Sequence, residues 1–302
     1  MVRGSSLEAK LRADRISDAA FYTAVYVTFG LFTLSIIYPF YYILINSLNG
    51  NLIFGPVLAW PKSLTLYNYK LVLNDKTILR SLGVSVSRVA IGSVTALTVN
   101  SMCAFALRKP RISFRSFYLV VFTIPMFFQG GLIPRYLNLR MLGLLDRYLV
   151  YILPPLFGFF YVIILMSAFR EIPPAMEESA YMDGAGYFTI YWKIYLPMSV
   201  PVLATILLFV GVAHWETWFD TLYFTQRETL QTFAAFLMKV VRKFSALDVE
   251  TEIMEEDTLL QMANLQGVRF AAIIVAILPV LMIYPFIQKY FVTGLRLGAL
   301  KE

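Results

Sequence analysis

The sequence predicts an all-α polytopic membrane protein with six transmembrane helices. Of its 302 residues, 59% are hydrophobic and 15% charged, whereas a soluble domain is nearer half apolar and a quarter charged. Mean hydropathy is +0.67. The apolar residues also gather into six runs that reach or approach the ~20 needed to cross ~30 Å of hydrocarbon. This balance excludes an ordinary cytosolic enzyme, a disordered chain and a nucleic-acid-binding module. A single cysteine (Cys103) and a single histidine (His214) exclude a disulfide scaffold, a Cys-based zinc cluster and a His-rich metal site. No metal is expected.

Residues 1–20 mix Arg3, Lys10, Arg12 and Arg15 with Glu8, Asp14 and Asp18. They read as a short amphipathic lead-in rather than a signal peptide, because the apolar run that follows is longer than a usual h-region. The first span is Phe21–Ile45, without charge. The second is Leu82–Leu107, whose one charge is Arg88. Phe117–Pro134, Tyr148–Phe169, Leu196–Ala213 and Phe270–Gln288 are uncharged and complete the six. The whole chain, 1–302, reads as one transmembrane domain.

Lys and Arg are nearly balanced between the two sides, so orientation rests on short loops, where positive charge marks the cytoplasm. Arg108–Ser116 is the densest basic loop, with Arg108, Lys109, Arg111 and Arg115. It is placed inside, and with it both termini and residues 1–20. Ser47–Ser81 and 220–269 then lie outside. The latter has an amphipathic stretch around Thr232–Val241 and an acidic run through Asp248, Glu250, Glu252, Glu255, Glu256 and Asp257. That run is either a solvated face or a docking surface for an extracytoplasmic partner.

The connection 170–197 carries the most information. Pro173 and Pro174 suit a helix start, where a missing N–H costs nothing. Glu177 and Glu178 sit near the positive end of the helix dipole. Gly184 and Gly186 end that helix, and a second short one runs to Pro197. Two short helices joined by a glycine bend make a rigid knob for another protein to grip.

Glu178-Ser179-Ala180, Gly184, Ile194 and Leu196-Pro197 resemble the EAA signature of binding-protein-dependent ABC importer permeases, with Ser179 where alanine is usual. Phe127–Pro134 with Leu142-Gly143-Leu144 resembles the helix 3 region of the oligosaccharide and polysaccharide branch. His214–Asp220 resembles that branch's end of helix 5, with Glu216 where asparagine is common, and Tyr290–Lys301 resembles its closing segment. The nearest type is the second permease of maltose-like importers, and alginate import is one function found among such proteins.

The resemblance implies a type I ABC importer transmembrane fold in the bacterial cytoplasmic (inner) membrane. It also implies partners: an ABC ATPase dimer, a second related permease, an extracytoplasmic solute-binding protein and the bilayer. Loop 170–197 would dock on the ATPase through Glu177, Glu178, Ser179, Ala180, Asp183, Gly184 and Ala185. The chain holds no Gly-rich phosphate loop ending in Lys-Ser/Thr. It is therefore expected to be non-catalytic and to bind no cofactor, with ATP and Mg on the ATPase.

Small and polar residues along the second span (Gly83, Ser85, Ser87, Gly92, Ser93, Thr95, Thr98, Asn100, Ser101) favour close helix packing and place it centrally. Candidate path residues are Arg88, Gln129, Trp215, Glu216 and Trp218. Arg88 either snorkels or pairs structurally, or meets an acidic sugar. The tryptophans either touch substrate or belong to an interfacial belt. His214 reads as a hydrogen-bonded packing residue. The alternative class is an ion- or proton-coupled secondary sugar transporter, disfavoured because the six spans contain no Asp or Glu.

Overall fold

The computed structural model describes residues 2–50, 57, 59–110, 112–128, 130–247, 266–283 and 285. They belong to two units, one within 1–71 and 254–274, the other within 72–253 and 275–302. Among the described residues the regular elements are helices, with one isolated bridge between Asn49 and Leu64. Three helices among the described residues are long and apolar enough to cross a membrane, and three further candidates are bent pairs. By length and composition the described residues thus hold up to six spans, three of them broken.

In the first unit, α1 (Val2–Ser47) is continuous, so the lead-in and first span form one helix. From Phe21 to Leu44 it exposes Phe29, Phe32, Leu34 and Ile37 among others, as a helix apolar on every face does in a membrane. Its C-terminal end is tied down by polar side chains. Asn46 Nδ2 donates to the Val57 carbonyl and Asn46 Oδ1 accepts from Val57 N–H (2.9 and 2.7 Å). Asn68 Nδ2 donates to the Ser47 carbonyl at 3.0 Å. A Cβ at Gly267 would meet Asn68 Oδ1 at 2.5 Å, so only glycine allows this approach by α12 (Gln266–Ile283).

In the second unit, α2 (Tyr67–Asn74), which begins in the first, leads into α3 (Lys76–Leu107). Asp75 caps α3, its Oδ1 accepting from Thr77 N–H at 2.7 Å, which satisfies one of the orphan donors of a first turn. The second span therefore starts six residues earlier than the apolar run suggested. Then come α4 (Arg115–Phe127), α5 (Leu132–Met141), α6 (Phe159–Arg170) and α7 (Pro174–Met182). After them lie α8 (Tyr187–Met198), α9 (Val200–Glu216), α10 (Phe219–Phe224) and α11 (Phe233–Leu247).

Three expected spans are corrected. Phe117–Pro134 is not one helix: α4 stops at Phe127, and Gly131 takes φ +80° before α5 begins. Tyr148–Phe169 is helical throughout only from Phe159; before it lies a 3₁₀ turn at Tyr148–Tyr151 and irregular chain through Pro154 and Pro155. Leu196–Ala213 breaks at Ser199, with α8 and α9 meeting at 83°. The causes are Gly130-Gly131, the Pro pair, and Pro197 with Pro201. Hydropathy windows pass over these breakers because they sit among apolar neighbours.

Irregular backbone at membrane depth is tolerated only where protein satisfies it. Asn100 on α3 does this, as Oδ1 accepts from Gly158 N–H at 2.9 Å and Nδ2 donates to the Leu156 carbonyl at 3.1 Å. Helix α3 is central as expected, packing on α6, α9 and α11. Its buried stripe runs Ser81, Ser85, Arg88, Gly92, Ser93, Ala96, Asn100, Ser101, Ala104. Lipid is as apolar as a side chain, so close contact between small residues drives this packing. A Cβ at Gly92 would lie 2.5 Å from His214 Nε2, and one at Gly211 3.4 Å from Ser93 Oγ.

Candidate coupling surface and translocation path

Helix α7 starts with Pro174 at its first turn and holds Glu177 there. It ends where Gly184 takes φ +79° and Ala185 N–H bonds back to the Ala180 carbonyl at 2.9 Å, a left-handed C-terminal stop that glycine alone adopts without strain. Ala180 and Ala185 face inward, against the cluster formed by Leu107, Phe169, Ile190 and Tyr195. Glu178, Ser179, Asp183 and Gly184 are exposed, and Met182 is 89% exposed. Those groups form an outward face, and the two alanines hold its base.

Glu177 belongs to neither set. Its carboxylate is turned back toward the end of α3. Oε2 accepts from Arg108 Nη2 at 2.8 Å and from Tyr195 Oη at 2.9 Å, and Oε1 pairs with Lys109 Nζ at 2.8 Å. The Arg108 guanidinium lies between the rings of Phe105 and Tyr195, 4.2 and 4.0 Å from their centroids. Lys109 also donates to Tyr181 Oη at 3.0 Å and sits over the Tyr187 ring. Burial pushes the Glu177 carboxyl up, but hydrogen bonds from Lys109 and Tyr195 and the charges of Arg108 and Lys109 hold it below its ordinary value. Burial pushes Lys109 down, and its bonds to Glu177 and Tyr181 outweigh that and raise it. The sequence grouped Glu177 with the residues that engage the ATPase; geometrically it is the bolt that fixes α7 to α3.

The second site lies on the other half of α3. Arg88 is 1% exposed and twelve residues into α3, about 18 Å along the helix, deeper than the apolar run implied. Its Nη2 donates to Asp220 Oδ2 at 2.6 Å, its Nη1 to the Thr217 carbonyl at 3.1 Å and its Nε to His214 Nδ1 at 3.3 Å. The Tyr151 ring covers it, with Cζ 4.7 Å from the centroid. Every nitrogen of the guanidinium has a protein acceptor. His214 is the hydrogen-bonded packing residue expected.

The other Asp220 oxygen, Oδ1, accepts from Arg135 Nη2 on α5 at 3.1 Å. The Arg135 side chain is 43% exposed and lines two cavities. One, of about 390 Å³, is bounded by Arg88, Tyr161, His214, Phe219 and Asp220. The other, of about 690 Å³, is bounded by Gly130, Gly131, Asn138 and Phe219. Both fall in the size range of small-ligand sites.

The remaining path candidates lie elsewhere. Trp215 donates Nε1–H to the Ala276 carbonyl at 3.0 Å and lines an apolar cavity of about 310 Å³ with Val89, Leu208 and Pro279. Glu216 is exposed and bounds none of these three cavities. Trp218 packs on Phe219, with Arg242 5.8 Å over its ring. Gln129 lies outside the described residues, as do the acidic run 248–257 and the segment Tyr290–Lys301. Arg135 and Tyr161 are not singled out by the sequence, and Phe219 and Asp220 fall within the His214–Asp220 segment without being path candidates there. The signal for Arg135 was a cation one residue past the Gly-Gly-Leu-Ile-Pro break.

Residues 89–297 match the model of a family described as binding-protein-dependent transport system inner membrane component. Protein LplC of Bacillus subtilis (strain 168) is 35% identical over 88% of this chain and 89% of its own length. The polygalacturonan/rhamnogalacturonan transport system permease protein YtcP of the same organism is 36% identical over 80% of this chain and 83% of its own. A solved bacterial ABC transporter involved in the import of the acidic polysaccharide alginate contains a chain with TM-score 0.81 and 32% identity. The match covers 91% of this chain and 98% of that one.

Proposed function

This chain belongs to the inner membrane components of binding-protein-dependent transport systems, and from that premise we propose that it is one permease subunit of an ATP-driven oligosaccharide importer. It forms half of the translocation path for a saccharide delivered by an extracytoplasmic binding protein, and a second, related permease supplies the other half. Relatives named as permeases for polygalacturonan/rhamnogalacturonan, for starch degradation products and for diacetylchitobiose support the substrate class. ATP and Mg bind the separate ATPase subunits. Both chain termini lie in the cytoplasm, on the side of the basic loop that contains Arg108 and Lys109.

One observation carries this reading. The loop that engages an ATPase has an exposed face of Glu178, Ser179, Met182 and Asp183, backed by a bolt to the central helix through Glu177. Coupling requires that a partner's movement reach the spans through a contact that does not yield, and this is such a contact. A secondary transporter would couple through carboxylates within its spans, and the six apolar runs of the sequence contain no Asp or Glu.

The test is site-directed cross-linking in the whole complex. Cysteine at Glu178 or Asp183 is expected to cross-link to a co-purifying ATPase, with a yield that changes on ATP binding. Purification of the chain without an ATPase, or a yield indifferent to nucleotide, would count against it.

A further inference from the structure

We propose that Arg135 is the carboxylate-reading residue of the path, so that this permease selects saccharides bearing acidic units; this rests on the oligosaccharide-importer reading above. Three charged side chains bound the two cavities: Arg88, Arg135 and Asp220. Their sum is one positive charge. Arg88 uses all its nitrogens on protein acceptors and is sealed under Tyr151. Asp220 is 3% exposed, with both oxygens taken. The surplus charge therefore resides on Arg135.

Arg135 is built to present that charge. Among the described residues only its Nη2 is hydrogen-bonded, to Asp220 Oδ1. The guanidinium carbon lies 5.2 Å from the Phe224 ring centroid, which leaves Nε and Nη1 for a ligand. Asp220 restrains the side chain without neutralising it, because the same carboxylate already answers Arg88 at the shorter distance of 2.6 Å. A guanidinium fork matches a carboxylate in two parallel bonds, an arrangement a hydroxyl cannot reproduce. Phe219, at the wall of both cavities, offers an apolar face beside the cation, as a pyranose ring with a charged substituent requires. Arg88, the cation visible in the sequence, holds the path together, and Arg135 reads the cargo.

The experiment uses the assembled complex in detergent, without its binding protein, so that the binding protein's own selectivity does not enter. Affinity is measured for tetragalacturonate and for its fully methyl-esterified form, which have the same backbone and differ in charge. The wild-type complex is expected to bind the acid at least about tenfold more tightly at low salt, with the ratio falling as salt rises. Arg135→Gln and Arg135→Met are expected to bring the ratio close to one by weakening binding of the acid, and Arg135→Lys to retain part of it. A wild-type ratio near one overturns the proposal, as does a ratio that survives both neutral variants. If one neutral variant fails to assemble, the other with Arg135→Lys still decides. Loss of ATP-driven uptake for both probes in proteoliposomes would instead sink the importer reading, and is read separately.

Discussion

Replacing Glu177 with alanine is the sharpest perturbation of the coupling geometry. The Arg108 side chain is 6% exposed and that of Glu177 14%. A fully buried pair costs about 3–5 kcal/mol to break from one side, and an exposed pair about 0–1. Lys109 is 31% exposed and can turn to water, whereas Arg108 cannot leave the slot between Phe105 and Tyr195. An intermediate penalty of about 2–3 kcal/mol follows, and falls on the docking of α7 rather than on the membrane helices. At 1.4 kcal/mol per decade this lowers the docked population roughly 30- to 150-fold relative to the undocked one. In proteoliposomes the expected phenotype is uncoupling, with ATPase activity retained and saccharide moved per ATP falling at least about tenfold. Arg108→Met should produce a smaller loss, because Lys109 and Tyr195 still hold Glu177, and the double variant should be no worse than Glu177→Ala alone, since the Arg108 contact is already gone there. Normal coupling in Glu177→Ala, or additive losses in the cycle, would refute the clamp.

Four further outcomes are expected. Glu177 is held below its ordinary 4.5, so its stabilisation of α7 is complete above that pH and fades only as pH falls through the lower folded value; coupling measured against pH should be level near neutrality and drop on strong acidification, and Glu177→Gln should lack the acid step. Gly92→Ala puts a methyl 2.5 Å from the His214 ring, and overpacking of about 1–3 kcal/mol should appear as a lowered Tm of the complex in detergent. Asn100→Ala strands Gly158 N–H and the Leu156 carbonyl, at about 1–3 kcal/mol for unsatisfied buried groups; a similar fall in Tm is expected, and an unchanged one would show that the irregular chain before α6 is satisfied some other way. Arg88→Met leaves the 3%-exposed Asp220 with Arg135 as its one remaining ion pair among the described residues, so assembly yield should fall more than for Arg135→Met.

Much of the architecture was legible because a membrane imposes one requirement, length without charge, which windows of hydropathy detect. Phe21–Ser47 was read to within two residues of its end, and Lys76–Leu107 was read correctly at its C-terminal end but six residues short at its start. The breaks were less visible. Pro154-Pro155 lies within an uncharged run, and only the folded chain reveals that Asn100, more than fifty residues away, serves the backbone there. Loop 170–197 was readable because its prolines and glycines are local signals whose meaning does not depend on distant contacts.

The path was the opposite case. Arg88 drew attention as a charge inside a span, yet its role is set by Asp220, which lies 132 positions along the chain and just beyond the fifth apolar run. Arg135 looked like an ordinary cation after a helix break until α5 placed it beside that carboxylate. Glu177 could not be told from Glu178 by composition, because adjacent residues on a helix point about 100° apart, and only the fold decides which of them faces inward.

Uptake by the reconstituted complex, with this chain, its companion permease, the ATPase and the binding protein in liposomes, decides the matter. Tetragalacturonate should accumulate inside only when ATP and binding protein are both supplied, and Glu177→Ala should leave hydrolysis running while accumulation falls away. Accumulation by this chain alone, without ATP, would contradict the account.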